Sequence, residues 1–378
     1  MQEPHSNLTE IKLKGLYIHI PFCNQKCPYC DFFSILGRPI SFEEYLNAVL
    51  KEIELYRDIY NFDLQTVYLG GGTPSVVPPK LYDTFFSELS KIVDLSKVEE
   101  ITIEVNPESY SKEDFKQLLE IGVNRISIGV QSFLEKNLKV LGRKHTVKDS
   151  LRTIENASKV GFENISVDLI WGLPKQTKED LQEEFKILKD LPVVHLSAYL
   201  LTVYEETPLS QLVEKGIFKL PSEERIEELY YTLLEETEKL HFERYEISNF
   251  SKGGNYRSKH NLLYWRSEPF LGVGAGAWSF DGTKRWSNLK NLTRYVELLK
   301  RDALPVERMI ELNERELFKE KLIMALRTTE GVPKEWIEKK LPPEVVKEYF
   351  RPTEGGKNLA FNEKGFLVSN FLLAELID

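Results

Sequence analysis

The stretch Leu16–Cys30, LYIHIPFCNQKCPYC, runs from an apolar, strand-like segment directly into a loop that holds every cysteine of the chain. Cys23, Cys27 and Cys30 have the spacing Cys-x3-Cys-x2-Cys, and three thiols cannot all pair into disulfides. A [4Fe–4S] cluster is normally held by four cysteine thiolates, so three on one loop would leave one iron open to another ligand. The loop therefore predicts an iron–sulfur cluster with one open coordination position.

A zinc site of the Cys3His type is the alternative, because His19 lies four residues before Cys23. Structural zinc sites usually have four protein ligands in two well-separated pairs, and this chain has no second pair. A strand residue also points along one sheet face while the loop turns away. Spacing alone favours the cluster over zinc and over free thiols, and it leaves all three open.

Composition excludes several classes of protein. The chain has 378 residues, of which 42% are hydrophobic and 29% charged, enough for one large core or two smaller ones. No segment approaches the roughly 20 apolar residues of a membrane span, and the N-terminal MQEPHSNLTEIKLKG lacks the apolar centre of a signal peptide. The net charge of −9 argues against nucleic-acid binding. We expect a cytoplasmic protein without an integral membrane segment or a nucleic-acid partner.

Apolar strand-like runs alternate with amphipathic helical patterns over the first half of the chain. The predicted strands are LYIHI (16–20), QTVYLG (65–70), EEITIEV (99–105), NRISIGV (124–130), NISVDLI (164–170) and VVHLSAYLL (193–201). Such repeats predict parallel strands joined by helical crossovers, and six of them predict a partial, open barrel, since eight would close it. Reactive groups in these folds lie at the carboxyl ends of the strands.

Polar motifs follow these strand ends. Gly70, Gly71 and Gly72 come after the second strand, and without β-carbons their backbone amides and carbonyls can approach a ligand directly. An ordinary turn is the alternative, which the glycines alone favour. Glu104 ends the third strand in EVNPE, where a carboxylate can accept hydrogen bonds from a ribose diol. A solvated carboxylate is the alternative there.

Asp168 lies within the fifth strand, in SVDLIWGLP, between apolar residues. Burying an unpaired acid is costly, so Asp168 is expected to have a partner or a ligand. Arg143, in LGRKH after the fourth strand, is one candidate partner, and a purely structural ion pair between the two is the alternative. Gln131, in GVQSF, ends the fourth strand.

Together, YIHIPFCNQKCPYCDF, YLGGGTP, EVNPE, ISIGVQSF, LGRKH and VDLIWGLP resemble the radical S-adenosylmethionine (SAM) superfamily. The branch is that of oxygen-independent coproporphyrinogen III oxidase (HemN) and the haem chaperone HemW. The resemblance implies an α/β fold, a partial (β/α)6 radical SAM barrel with a small, mainly helical C-terminal domain. The expected domains are an N-terminal extension (1–14), the partial barrel (15–230), a barrel extension (231–291) and a HemW-like C-terminal domain (292–378), whose first part reads as successive helices.

The resemblance also implies a cofactor site. Cys23, Cys27 and Cys30 would ligate three irons, and the amino and carboxylate groups of SAM would chelate the fourth. The residues expected to contact SAM are Tyr17, Tyr29, Gly71, Gly72, Thr73, Glu104, Gln131, Arg143 and Asp168. In this assignment the glycines and Thr73 face the amino group, the two acids face the ribose, and Gln131 and Arg143 face the carboxylate. A guanidinium suits that last place because it pairs with carboxylates in a planar fork.

Two departures distinguish the chain from the oxidase. The oxidase pattern has a fourth cysteine where this chain has Phe32, and a longer segment ahead of its first strand, whereas sixteen residues precede Tyr17 here. The continuation CPYCDF and the motif His260–Trp265, of the form HNxxYW, are instead similar to HemW. We therefore expect a haem chaperone. Coproporphyrinogen III oxidation and radical SAM chemistry on another substrate are the alternatives, so whether the chain is an enzyme stays open.

The HNxxYW motif supplies the candidate haem site, namely His260, Asn261, Tyr264 and Trp265. A neutral imidazole is a common axial ligand of haem iron, and the two aromatic side chains could cover a flat porphyrin. A packed, hydrogen-bonded histidine is the alternative. The resemblance implies haem as cargo, and a haem-acceptor protein and an electron donor as partners. The glycine-rich LGVGAGAWSF (271–280) is expected to close over the adenosine or the tetrapyrrole.

Overall fold

The structure is a computed structural model that describes residues 10–377. Most of the predicted N-terminal extension, residues 1–9, lies outside the described residues, and Lys12 already begins the first strand. Among residues 10–377, no helix combines the length and the apolar composition needed to span a bilayer.

Strands and helices alternate up to residue 200. The elements are β1 (Lys12–Ile20), β2 (Phe22–Cys23), β3 (Ile35–Leu36), α1 (Phe42–Arg57), β4 (Asn61–Gly71), α2 (Pro79–Ile92), β5 (Glu100–Val105), α3 (Lys112–Ile121), β6 (Arg125–Gln131), α4 (Glu135–Val140), α5 (Val147–Val160), β7 (Asn164–Trp171), α6 (Lys178–Leu188) and β8 (His195–Leu200). Strands β1, β4, β5, β6, β7 and β8 are parallel neighbours in that order, which confirms the predicted partial (β/α)6 barrel.

Side chains alternate along these strands because successive residues point to opposite faces. On one face of the strands the side chains are aliphatic and belong to the main hydrophobic core together with helix residues. Examples are Leu16, Ile18, Val67, Leu69 and Ile103. The residues between them are polar or aromatic and contact one another across strands. They include Tyr17, His19, Thr66, Tyr68, Glu104, Ser127, Ser166, Asp168, His195 and Ser197. The barrel interior is therefore lined by hydrogen-bonding groups.

The middle of the chain extends this sheet at both edges. Its elements are α7 (Pro208–Glu214), α8 (Glu223–Lys239), β9 (Glu243–Arg244), β10 (Asn249–Ser251), α9 (Lys259–Trp265), β11 (Phe270–Val273), β12 (Trp278–Phe280), β13 (Lys284–Asn288), α10 (Leu292–Leu299) and β14 (Val306–Glu311). The twelve strands have the order β14-β13-β12-β11-β1-β4-β5-β6-β7-β8-β10-β9. The prediction of successive helices after residue 292 is wrong at β14, which pairs with β13 as an edge strand. The predicted domain boundaries stay predictions.

The last part of the chain has its own core. Its elements are α11 (Glu314–Leu326), β15 (Val332–Pro333), α12 (Lys334–Glu338), α13 (Pro343–Tyr349), β16 (Phe350–Pro352), β17 (Asn358–Phe361), α14 (Glu363–Leu367) and α15 (Ser369–Ile377). Buried side chains from Leu322 to Leu376 form a hydrophobic cluster separate from the main core. A three-stranded sheet, β15-β17-β16, lies among these helices.

Candidate functional site

The cysteine loop leaves the carboxyl end of β1, where the barrel fold predicts reactive groups. All three cysteines are free thiols and partly exposed. The Cys30 amide donates to the Cys27 carbonyl at 3.1 Å, and the sulfur of Cys23 lies 3.4 Å from the Thr73 hydroxyl. Burial raises the pKa of the Cys30 thiol, but a coordinating thiol is deprotonated by its metal. Within residues 10–377, no three His, Cys, Asp or Glu side chains are arranged to hold a single metal ion.

His19 anchors the chain that follows the loop rather than serving as a fourth ligand. Its Nε2 donates to the Phe33 carbonyl at 2.8 Å, and its Nδ1 accepts from the Tyr17 hydroxyl at 3.0 Å. Burial lowers the pKa of His19 to about 4, so the ring is neutral. With both nitrogens engaged, the Cys3His zinc alternative has no free imidazole nitrogen.

Arg143 joins the cysteine loop to the barrel. Its guanidinium donates to the Cys27 sulfur at 3.2 Å, to the Asn106 side-chain oxygen and to the Gly129 carbonyl at 3.4 Å. Its Nε donates to Nδ1 of His145, whose pKa is lowered to about 4 by burial and by this arginine. A positive charge beside a sulfur suits a thiolate ligand, so this donor set fits a thiolate-bound cluster. Asn106, in the quoted EVNPE motif, orients Arg143 and was missing from the predicted site.

The glycine run connects β4, the second predicted strand, to the backbone around the start of the cysteine loop through hydrogen bonds. The amide of Gly71 donates to Glu104 at 3.0 Å, that of Gly72 to the Ile20 carbonyl at 2.8 Å, and that of Thr73 to the Phe22 carbonyl at 2.9 Å. These three amides are therefore engaged within the protein, and the contact of Gly71, Gly72 and Thr73 with SAM stays a prediction. An amino group whose lone pair is bound to iron has only N–H donors left to offer, so its protein partners would be carbonyl and hydroxyl oxygens.

Gly71 and Gly72 each have a steric reason. A β-carbon on Gly71, whose φ is +113°, would lie 2.5 Å from the His19 ring. One on Gly72 would lie 2.8 Å from the Ile20 carbonyl oxygen. Larger residues cannot bring β4 this close to the loop.

The two acids lie on neighbouring parts of the barrel interior. Glu104 accepts from the Tyr68 hydroxyl at 2.9 Å, and burial, with Asp168 nearby, raises the pKa of Glu104 to about 7. Asp168 accepts from the Ser127 hydroxyl at 3.1 Å and also bonds to Ser197, while burial raises its pKa. The predicted Asp168–Arg143 pair is wrong, because Arg143 is committed to Cys27 and Asn106.

Three further residues predicted to contact SAM are Gln131, Tyr29 and Tyr17. Gln131 follows a β-bulge in β6 and has a positive φ of +64°, which an L-residue rarely adopts. Tyr29 packs with the cluster of Leu141 and Ile170. Tyr17 lies beside Tyr68, with ring centroids 6.1 Å apart. The structure thus brings the predicted SAM residues to the carboxyl end and interior of one barrel.

The HNxxYW motif lies elsewhere, on α9 at the amino end of the barrel. His260 is 1% exposed; its Nδ1 is 2.7 Å from the Thr66 hydroxyl and its Nε2 is 2.7 Å from the Tyr264 hydroxyl. Burial lowers the pKa of His260 to about 3, so the ring is neutral. In this conformation neither nitrogen is available to iron, as in the packed-histidine alternative. Haem ligation by His260 therefore stays a prediction.

The other members of the motif are partly buried. The backbone amide of Asn261 donates to the hydroxyl of Ser258, the residue that caps α9, at 3.4 Å. The Trp265 indole nitrogen has no partner among residues 10–377, and Arg327 lies 5.9 Å from the ring. These two residues and Tyr264 stay predictions as haem contacts.

The glycine-rich segment packs inside the protein. A β-carbon on Gly274 would lie 2.6 Å from the His19 carbonyl oxygen and from the Tyr45 hydroxyl, and one on Gly276 would lie 2.9 Å from the Phe33 ring. Glu52 accepts from the Gly274 amide at 2.9 Å. The segment supports β1 and the residues after the cysteine loop, and its contact with a cofactor stays a prediction.

Comparison with known proteins gives consistent matches. The profile of the radical SAM superfamily matches residues 17–188. The heme chaperone HemW of Bacillus subtilis is 39% identical over 329 residues, covering 85% of both chains. HemW of Lactococcus lactis is 35% identical over 343 residues, covering 89% of this chain and 88% of the relative. A Danio rerio protein, radical S-adenosyl methionine domain-containing protein 1, mitochondrial, is 31% identical over 370 residues, covering 94% of this chain and 83% of that protein.

Among solved structures, Escherichia coli coproporphyrinogen III oxidase (HemN), described as a radical SAM enzyme, superimposes with a TM-score of 0.81. The alignment covers 96% of this chain and 90% of the oxidase at 21% identity. At that identity the likeness establishes a shared fold and nothing more about chemistry.

Proposed function

Because the chain belongs to the HemW family of the radical SAM superfamily, we propose that it is a haem chaperone, which binds haem and transfers it to an acceptor protein. The observation that carries this proposal is the 39% identity to HemW over 85% of both chains. That match spans 329 residues and so must extend beyond residue 188, where the superfamily profile ends.

Membership of the superfamily implies a [4Fe–4S] cluster and SAM. When bound, the cluster and SAM would supply one-electron radical chemistry. Cys23, Cys27 and Cys30 would hold the cluster, and Arg143 would place a positive charge beside Cys27.

The chain's own residues would position SAM within the barrel. Glu104 and Asp168, on β5 and β7, offer carboxylate acceptors to ribose hydroxyls, and Arg143 offers donors to a carboxylate. The polar interior keeps these groups fixed through hydrogen bonds from Tyr68, Ser127 and neighbouring amides. We infer that the protein's role is to bind and orient the cofactor.

Coproporphyrinogen III oxidation has no comparable support. Phe32 occupies the position of the oxidase's fourth cysteine, and its side chain is 59% exposed. A phenyl ring offers no ligand atom there, so any chemistry that needs the additional thiol is lost. The third alternative, a radical SAM enzyme on another substrate, has no observation in its favour.

Haem would be the cargo, and the HNxxYW residues would contact it. Coordination by His260 requires its ring to leave the Thr66 and Tyr264 hydroxyls, since each occupies one nitrogen. An acceptor protein and an electron donor would complete the set of partners.

The proposal is tested with anaerobically reconstituted protein given haem or coproporphyrinogen III in parallel. We expect a stoichiometric haem spectrum, transfer to an added apo-haem protein, and no protoporphyrinogen. Formation of protoporphyrinogen would reject the chaperone assignment, and so would failure to bind haem.

A further inference from the structure

Tyr68, on β4, contacts a predicted SAM-binding residue although it belongs to none of the predicted sites. Its hydroxyl donates to Oε1 of Glu104 at 2.9 Å, while the Gly71 amide donates to Oε2 at 3.0 Å. Both donors come from the same strand, on either side of Gly70. The two hydrogen bonds therefore fix the plane of the carboxylate as well as its position.

Gly70 shows that this arrangement is closely packed. A β-carbon there would lie 2.8 Å from Cε1 of Tyr68 and 3.1 Å from the Glu104 carboxyl carbon. Real β-carbons essentially never approach heavy atoms within 3.0 Å. The first glycine of the GGG run thus leaves room for the tyrosine–carboxylate contact. This steric reason for a glycine does not depend on ligand binding.

The Tyr68 ring is held in turn by aromatic neighbours. It stacks on the His260 ring, with centroids 5.0 Å apart, and on the Tyr17 ring at 6.1 Å. His260 is fixed by Thr66 and Tyr264, and Glu100 accepts from the amides of Lys259 and His260. These neighbouring rings restrict movement of the Tyr68 ring away from Glu104.

The groups around Glu104 shift its pKa in opposite directions. Burial and the nearby Asp168 raise the pKa of Glu104, whereas Tyr68, the Gly71 amide and Arg125 lower it. These opposing effects leave a pKa of about 7, so each donor changes the ionised fraction at neutral pH. Acceptance of ribose hydroxyls at both oxygens needs the ionised form.

We propose that Tyr68 is a positioning residue that holds the Glu104 carboxylate in the orientation and charge state in which it binds SAM. This inference rests on the proposed contact between Glu104 and SAM. In this arrangement, His260 supports the Tyr68 ring from the amino end of the barrel.

The experiment measures SAM affinity by calorimetry on cluster-reconstituted protein between pH 6 and 8.5. The variants are Tyr68→Phe, Glu104→Gln and the double variant, with iron content checked in each. The matched control is Tyr110→Phe, since Tyr110 is also buried and donates one hydrogen bond, to the Val77 carbonyl at 2.6 Å.

In the wild type, affinity should rise with pH through a midpoint near 7, and Glu104→Gln should abolish that step. Tyr68→Phe should weaken SAM binding about tenfold at pH 7 and move the midpoint to higher pH, because an anion loses a donor. Adding Tyr68→Phe to Glu104→Gln should change affinity little, and Tyr110→Phe should bind as the wild type does.

Equal affinity and midpoint in Tyr68→Phe would overturn the inference, as would an equal loss in the Glu104→Gln background. A wild-type affinity without a pH step near 7 would also overturn it, even if Tyr68→Phe did not fold. Haem titration of the same wild-type sample separates the two proposals. Loss of haem binding with intact Tyr68–Glu104 coupling rejects only the chaperone, and the reverse rejects only this inference.

Discussion

The imidazole of His260 lies under the phenol ring of Tyr68, with centroids 5.0 Å apart and planes inclined by 26°. His260 belongs to the HNxxYW motif, which is proposed to contact haem, and Tyr68 to the strand that carries the glycine run, which is proposed to contact SAM. The contact places these two proposed sites back to back.

Tyr264→Phe should strengthen haem binding if His260 is the axial ligand. The substitution removes the hydroxyl that occupies Nε2 of His260 and keeps the ring, so the nitrogen becomes available at little steric cost. In His260→Ala, the Soret band of added haem should instead lose the shift that axial ligation by His260 gives. Haem titration followed by absorption spectroscopy measures both. Wild-type spectra and affinity in both variants would remove His260 from this role.

His260→Ala should also destabilise the protein without any ligand. The ring is 1% exposed and bonds to Thr66 and Tyr264, so its removal leaves a cavity and two unpaired hydroxyls. We expect a loss of about 2–4 kcal/mol in the free energy of unfolding. Urea denaturation measures it, with Lys259→Ala, an exposed neighbour on the same helix, as the control. A loss no larger than that of the control would contradict the packing described here.

Arg143→Lys should weaken SAM binding about tenfold, because an ammonium cannot make the planar set of contacts of a guanidinium. Arg143 donates to Cys27, Asn106 and Gly129 at once. Calorimetry on reconstituted protein gives the affinity, and iron content shows whether the cluster is retained. Lys144→Ala, an exposed neighbour, should bind SAM like the wild type. Unchanged affinity in Arg143→Lys would show that the cation alone suffices.

The contribution of Glu52 to stability should fall as the pH rises from about 4.5 to about 7. Burial raises the pKa of Glu52 to about 7 despite hydrogen bonds from Gly274, Tyr295 and Asn288. The folded state therefore holds a proton that the unfolded state releases near its usual pKa of about 4.3. The contribution is complete below the unfolded pKa and is lost as the pH rises through the folded one.

The size of this pH effect is up to about 3 kcal/mol for one such group. Urea denaturation across the pH range measures the slope. Glu52→Gln should remove the Glu52 component from the slope, whereas Glu43→Gln, an exposed position on the same helix, should leave the slope unchanged. Parallel slopes for wild type and Glu52→Gln would contradict the prediction.

The barrel was predictable because its strands and loops are local features. Each strand alternates aliphatic and polar residues, as in TVYLG and ITIEV, and each is followed by a distinct motif. That alternation also contained an unused signal, since Tyr68, Glu104 and Ser127 all lie on the polar side. Reading it would have predicted the hydrogen-bonded interior.

The remaining features depend on contacts between distant parts of the chain. His260 bonds to Thr66 across 194 residues, and no local pattern shows that α9 covers the amino end of the barrel. Strand β14, VERMIE, was missed because four of its six residues are exposed at the sheet edge and three of the six are charged. Arg143 was paired with Asp168 by charge alone, whereas packing gives it Cys27 and Asn106.

A histidine that supports one site and ligates the cargo of another would link the two occupancies thermodynamically. If iron draws the His260 ring away from Tyr68, haem and SAM must oppose each other's binding, and by the same factor in both directions. SAM would then act as a release signal for haem, and haem loading would loosen SAM. Such reciprocal antagonism needs no cleavage of SAM, which gives a chaperone a use for an intact cofactor.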